Sequence, residues 1–143
     1  MFPALLRRSF SISYHSVSCL SEFDKDLRPQ LRKFCKERIL PLANEVEKKN
    51  AFPNHLWREM GDFGLLAPTV EVQYGGTGAS YATHCLILEE ISRVSGAIGL
   101  SYSAHSALCT AQIARWGNSD QKERYLKKVR IIIPLSLSEL NIA

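Results

Sequence analysis

From Gln73 to His105 the chain reads QYGGTGASYATHCLILEEISRVSGAIGLSYSAH, and this stretch limits the fold more than any other. The glycines in Tyr74-Gly75-Gly76-Thr77-Gly78 open backbone angles closed to other residues, so a tight reversal is expected there. Beyond it, Leu86, Leu88, Ile91 and Val94, with Ala82 and Cys85, recur at helical rather than alternating spacing. Ser80 stands where this helix needs a cap. Ser95-Gly96 then breaks it before a second helical pattern starts.

The same period runs on either side. Leu27, Leu31, Phe34, Cys35, Ile39, Leu42, Ala43 and Val46 form one apolar stripe. Asp24 or Asp26 is its expected cap, with Pro29 in the first turn. Pro41 removes a backbone donor inside the pattern and predicts a kink or break near Ile39. Phe52-Pro53-Asn54 reads as a turn, with Asn54 capping a short helix from His55 to Asp62 that faces Leu56 and Met60 inward. Trp57 reads as a packing residue. Ala97 to Trp116 is the longest apolar pattern and closes at Gly117-Asn118. Ser119 opens a charged helix through Lys128. Residues 27–128 therefore predict an all-α fold, an up-down helical bundle. The last stretch changes period: Ile131-Ile132-Ile133 predicts a strand, a strand-like tail on the bundle.

Composition narrows the function classes. Among 143 residues, a hydrophobic content of 45% and a charged content of 22% are ordinary for a globular chain. No apolar run approaches the ~20 residues of a bilayer span. The net charge is +4, but Lys and Arg alternate with Glu and Asp along the helices, which describes solvated faces rather than a nucleic-acid stripe. Cysteines at 19, 35, 85 and 109 and histidines at 15, 55, 84 and 105 are too scattered for a metal motif, and no metal ligand is assigned. The cysteines within the helical patterns are expected to act as small hydrophobes. Glu89-Glu90 are adjacent on a helix and point about 100° apart, so they do not face a common substrate. One is expected to be solvated and the other paired with Arg93.

Before Glu22 there is no acid. Arg7, Arg8 and the serines at 9, 11, 13, 16, 18 and 21 give residues 1–22 the composition of a mitochondrial transit peptide, addressed to the matrix. An unstructured tail has the same composition.

The glycine turn, EEISR, GAIGLSYSAH and the later GNSDQKERYL occur in one order, and together they resemble the acyl-CoA dehydrogenase family. The resemblance runs over about residues 27–129 and reaches the front third of a family protein. It implies a helical domain at 23–129 and the truncated start of a β-domain at 130–143. It implies FAD as cofactor, an electron-transfer flavoprotein as electron acceptor and a homotetramer. The implied reaction is α,β-dehydrogenation of an acyl-CoA substrate, in which a glutamate takes the α-proton and the flavin takes a hydride from the β-carbon. No acid of this chain matches that glutamate, so no catalytic residue is assigned and the chain alone is expected to be inactive. Aligned on Gly117-Asn118, Leu100 and Ala104 match positions that line the acyl pocket. A leucine above a small alanine suits a short branched acyl group, with isovaleryl-CoA, from leucine degradation, as the expected substrate. By periodicity alone both are ordinary core residues. The flavin contact falls on Leu135, Leu137, Ser138 and Glu139, where Ser136 and Leu140 depart from the family's pattern. The alternative is a non-catalytic helical module that pairs with full-length dehydrogenase subunits.

Overall fold

A computed structural model of the protein describes residues 20–129. Helix α1 runs over 22–49, and α2 is Asn54–Asp62. An irregular crossing follows, then α3 at Tyr81–Val94, α4 over 96–116 and α5 over 119–129. No strand occurs among the described residues, in agreement with the all-α expectation. Residues 1–19 and 130–143, which hold most of the expected leader and the expected strand, lie outside the described residues.

Helix α1 starts earlier than the apolar stripe indicates. Ser21 is its cap, and a reciprocal box with Asp24 ties the backbone N–H groups of these two residues. Pro29 therefore lies inside the helix and not in its first turn. Pro41 neither breaks nor ends α1. The turn ahead of it, Cys35–Ile39, widens to π winding, with the Leu40 N–H donating to the Cys35 carbonyl five residues back. That widening accommodates a residue that has no N–H for Glu37 and whose ring crowds that carbonyl. The helix then continues to Asn50, in a left-handed cap with φ 48°. Asn54 is the first residue of α2 rather than its cap; Pro53 occupies the cap position.

α1 packs against α3 and α4, and α3 lies along α4. Leu31, Phe34, Ile39, Leu56, Met60, Ile87, Ile91, Ile98 and Tyr102 fill the core between them. Trp57 is buried there as a packing residue, stacked on Phe52 at 4.3 Å. Gly99 lets α4 approach α3: a Cβ built there would sit 3.0 Å from the Ser92 backbone. Of the cysteines, Cys35 is buried and Cys109 half-buried, but Cys85 is exposed and does not serve as core.

Two polar ties hold α1 to α3. Buried Thr83 donates to Asp24 at 2.7 Å, joining the two helix starts. Glu90, only 2% exposed, accepts from Arg28 at 2.8 Å and from Arg32 at 3.1 Å, with Arg93 at 3.6 Å. Arg93 makes its shorter bond, 2.8 Å, to Glu89. The expected pairing is corrected: Arg93 bonds mainly to the more exposed acid, and the main partners of the buried one come from α1, 58 and 62 residues away. Burial by itself raises the Glu90 pKa, and the hydrogen bonds from Arg32 and Arg28 outweigh it and leave the carboxyl below its ordinary value.

Candidate functional site

α4 has two rows of residues four apart. Ile98, Tyr102, Ser106 and Thr110 face the core and are fully buried. Leu100, Ala104 and Leu108 face outward, and the two leucines are 73% and 72% exposed. Leu100 and Ala104, singled out in the sequence, thus share one outer face with Leu108. They are not core residues. Exposed leucines on a helix flanked by well-packed helices are a costly arrangement, since burying each is worth about 1.5–3 kcal/mol. A contiguous apolar stripe of this kind marks a surface that meets something else.

The stripe ends at a groove of about 480 Å³ between α4, the glycine loop and the start of α3. Tyr74, Tyr81, Leu108 and Ala111 give it apolar walls, while Glu71 and Arg115 bring opposite charges to its edge. Ala104 and Leu100 lie beyond it, one and two turns back along the helix from Leu108. The glycine loop makes one side of the groove because it folds back on the crossing segment. Thr77 N–H donates to Ala67 and Gly78 N–H to Val70, and a Cβ on Gly76 would fall 2.0 Å from the Val70 carbonyl oxygen. The loop therefore has a structural role. It also lines a smaller cavity of about 250 Å³ with the end of α2. There the N–H groups of Gly75, Gly76 and Thr77 are all bonded to backbone carbonyls and offer an anion no donors.

Beneath the stripe lies a polar assembly that sequence reasoning did not find. His84 of α3, 2% exposed, places Nε2 2.9 Å from the Ser106 hydroxyl. Ser106 donates to the Tyr102 carbonyl at 2.8 Å, so its oxygen accepts from His84, and the imidazole carries its proton on Nε2. His84 Nδ1 is buried without a partner, and burial lowers the pKa of the ring. Tyr102 donates to the Leu65 carbonyl at 3.0 Å. On the other side of α4, His105 packs on Trp57 at 5.2 Å with Nε2 also unpartnered. Burial takes its pKa down to about 4. The signal available in the sequence was Ser106 and Thr110 following Ile98 and Tyr102 at intervals of four.

None of these groups forms a metal site: no cluster of three His, Cys, Asp or Glu side chains occurs among the described residues. The buried carboxylates Asp24 and Glu90 both hold helices together. The residues expected to meet a flavin, Leu135, Leu137, Ser138 and Glu139, lie outside the described residues.

The described residues thus form a helical bundle with one apolar row of α4 turned outward. The family model "Acyl-CoA dehydrogenase, N-terminal domain" matches residues 21–130. The chain belongs to the acyl-CoA dehydrogenase family. It is 46% identical over 131 residues to the mitochondrial isovaleryl-CoA dehydrogenase of Pongo abelii, covering 88% of this chain and 31% of that one. Among solved structures it is similar to an acyl-CoA dehydrogenase from Geobacillus kaustophilus, with TM-score 0.75, 32% identity, and 80% of this chain and 30% of that one covered. It is also similar to a chain in a structure of the electron transferring flavoprotein of Acidaminococcus fermentans, with TM-score 0.72, 27% identity, and 78% and 29% covered. The chain spans about a third of the length of the curated relatives it matches.

Proposed function

We propose that this chain forms the acyl-facing helical wall of a dehydrogenase that desaturates a short branched acyl-CoA, with isovaleryl-CoA as substrate and a place in leucine degradation. The observation that carries this reading is the outward row Leu100, Ala104, Leu108, uncharged and leading into an apolar groove. Leu100 closes the space over a chain, and the small side chain of Ala104 leaves room for a branch. The similarity to isovaleryl-CoA dehydrogenase supports the choice of acyl group.

FAD, when bound, supplies the hydride acceptor. We assign the contact of this chain with it to Leu135, Leu137, Ser138 and Glu139, and Leu140 after them predicts weak binding. An electron-transfer flavoprotein as acceptor, a homotetramer and a matrix location follow from the same reading, with residues 1–22 as transit peptide. A reporter fused to residues 1–22 is expected in mitochondria, and Arg7→Glu with Arg8→Glu in the cytosol. A cytosolic wild-type fusion removes the localisation.

The reaction is tested by joining residues 1–129 to the remaining two-thirds of an isovaleryl-CoA dehydrogenase. The hybrid is expected to reduce an electron acceptor with isovaleryl-CoA, and the 143-residue chain alone to give none. A folded, flavin-loaded hybrid with no preference for branched over straight short chains contradicts the assignment. A second reading, a non-catalytic module that pairs with full-length subunits, is favoured by the exposed Leu100, Leu108 and Trp116. It predicts that the chain co-purifies with a full-length subunit and leaves its acyl preference unchanged.

A further inference from the structure

Rows of residues four apart do not stay in line on a regular α-helix. At 3.6 residues per turn each step of four overshoots by about 40°, so three steps carry a residue about 120° around the axis. On α4 the inner row nevertheless stays buried through all its steps, from Ile98 to Thr110. The outer row stays exposed from Leu100 to Leu108. The cause is the middle of the helix: Ala104–Thr110 is π-wound, with the Ala111 N–H donating to the Ser106 carbonyl five residues back. The wider winding cancels the overshoot and keeps both rows straight.

A π turn is strained relative to α winding and needs support. Besides the exposed bond from Gln112 to the Ala107 carbonyl at 3.2 Å, three buried side-chain bonds sit on it. Thr110 donates to the Ser106 carbonyl at 2.9 Å, Ser106 donates to the Tyr102 carbonyl at 2.8 Å, and His84 reaches Ser106 from α3 at 2.9 Å. Among the described residues, only the last of these hydrogen bonds comes from another element, and it joins the His105–Trp57 ring contact in tying the turn to the rest of the bundle. We propose that His84 and Ser106 are positioning residues that hold the π turn of α4 open, and so align Leu100, Ala104 and Leu108 into one acyl-facing row. This rests on the reading of that row given under the proposed function. Neither residue touches the acyl group; each acts through the winding of the helix between them and the outer row.

The test uses the 143-residue chain and amide hydrogen exchange, compared between residues 104–110 and the amides of α1. Ser106→Ala and His84→Phe are expected to speed exchange in 104–110 about tenfold, the loss of one buried hydrogen bond, while α1 is unaffected. His84→Gln keeps a donor at the same reach and is expected to restore protection. Equal exchange in all variants overturns the proposal, and so does a uniform rise across every helix, which is what a merely structural contact gives. Nitrogen NMR of His84 is an independent check on the same chain: a proton on Nε2 supports the bond as drawn, and a proton on Nδ1 overturns it. In the hybrid enzyme, Ser106→Ala is expected to lower the ratio of branched to straight acyl kcat/KM about tenfold. If exchange rises locally and this ratio stays fixed, the latch exists but does not set acyl choice; the positioning role is then overturned. A wild-type hybrid with no branched preference shows instead that the acyl reading is at fault.

Discussion

At the residue scale, the buried glutamate of α3 is the position where charge matters most. Glu90 sits between Arg28 and Arg32 with almost no access to water, whereas Glu89 beside it pairs with Arg93 at the surface. Glu90→Gln keeps the shape and removes the charge, leaving the α1 guanidinium groups against a neutral partner. Arg32 is half in solvent and recovers part of the loss, so a destabilisation of about 2–3 kcal/mol is expected. Glu89→Gln is expected to cost under about 0.5 kcal/mol, as exposed helix pairs do. Urea midpoints measure both, and equal midpoints for the two variants contradict the burial argument. The charge on Glu90 also bears on Cys35, whose thiol is pushed up to about 12, first by burial and then by that neighbour. Cys35 therefore stays protonated and unreactive.

At the scale of the element, helix existence was legible and helix winding was not. Apolar residues three and four apart, with Ser80, Ser95 and Asn118 at the breaks, are local signals, and all three residues act as caps. The start of α1 was missed by several residues because Ser21 and Asp24 signal by hydrogen bonding and not by hydrophobic period. Pro41 was read correctly as a disturbance, but a single-residue rule cannot tell a kink from a widened turn; that depends on Cys35 and Ile39 both being held in the core. Pro41→Ala is accordingly expected to stabilise the chain, yet by well under the ~3 kcal/mol that proline ordinarily costs inside a helix, because the π turn already absorbs the missing bond. Thermal or denaturant unfolding checks this, and a gain of the full amount shows that the turn was not accommodating the proline. On α4 the outward row was legible only through the family resemblance of Leu100 and Ala104, since periodicity alone read both as core. The supports beneath it were not, since His84 and Ser106 are 22 residues apart and meet only in the fold.

At the scale of the whole molecule, stability turns on how α3 and α4 close against each other. His84 and His105 are held neutral, below their ordinary pKa, and the unfolded chain takes up their protons first as pH falls. Their contribution is complete above about pH 6.5 and is lost progressively toward pH 4. For His105, whose pKa falls to about 4, the loss is on the order of 2–3 kcal/mol. Asp24 and Glu90 add a second loss at lower pH, once their carboxylates protonate. The unfolding midpoint should thus hold level from pH 8 to 7 and drop between 6.5 and 4, and His105→Phe should flatten that drop; an unchanged slope in the variant assigns it elsewhere. The outer face of α4 carries the functional claim, and Ala104 is where it is most exposed to test. In the hybrid with the remaining two-thirds of an isovaleryl-CoA dehydrogenase, Ala104→Glu puts a carboxylate into the volume of the acyl branch. The measurement is kcat/KM for isovaleryl-CoA relative to butyryl-CoA, before and after the substitution. A fall in that ratio of tenfold or more, about 1.4 kcal/mol at the transition state, is the predicted result; an unchanged ratio in a folded, flavin-loaded hybrid contradicts the assignment of this face to the acyl group.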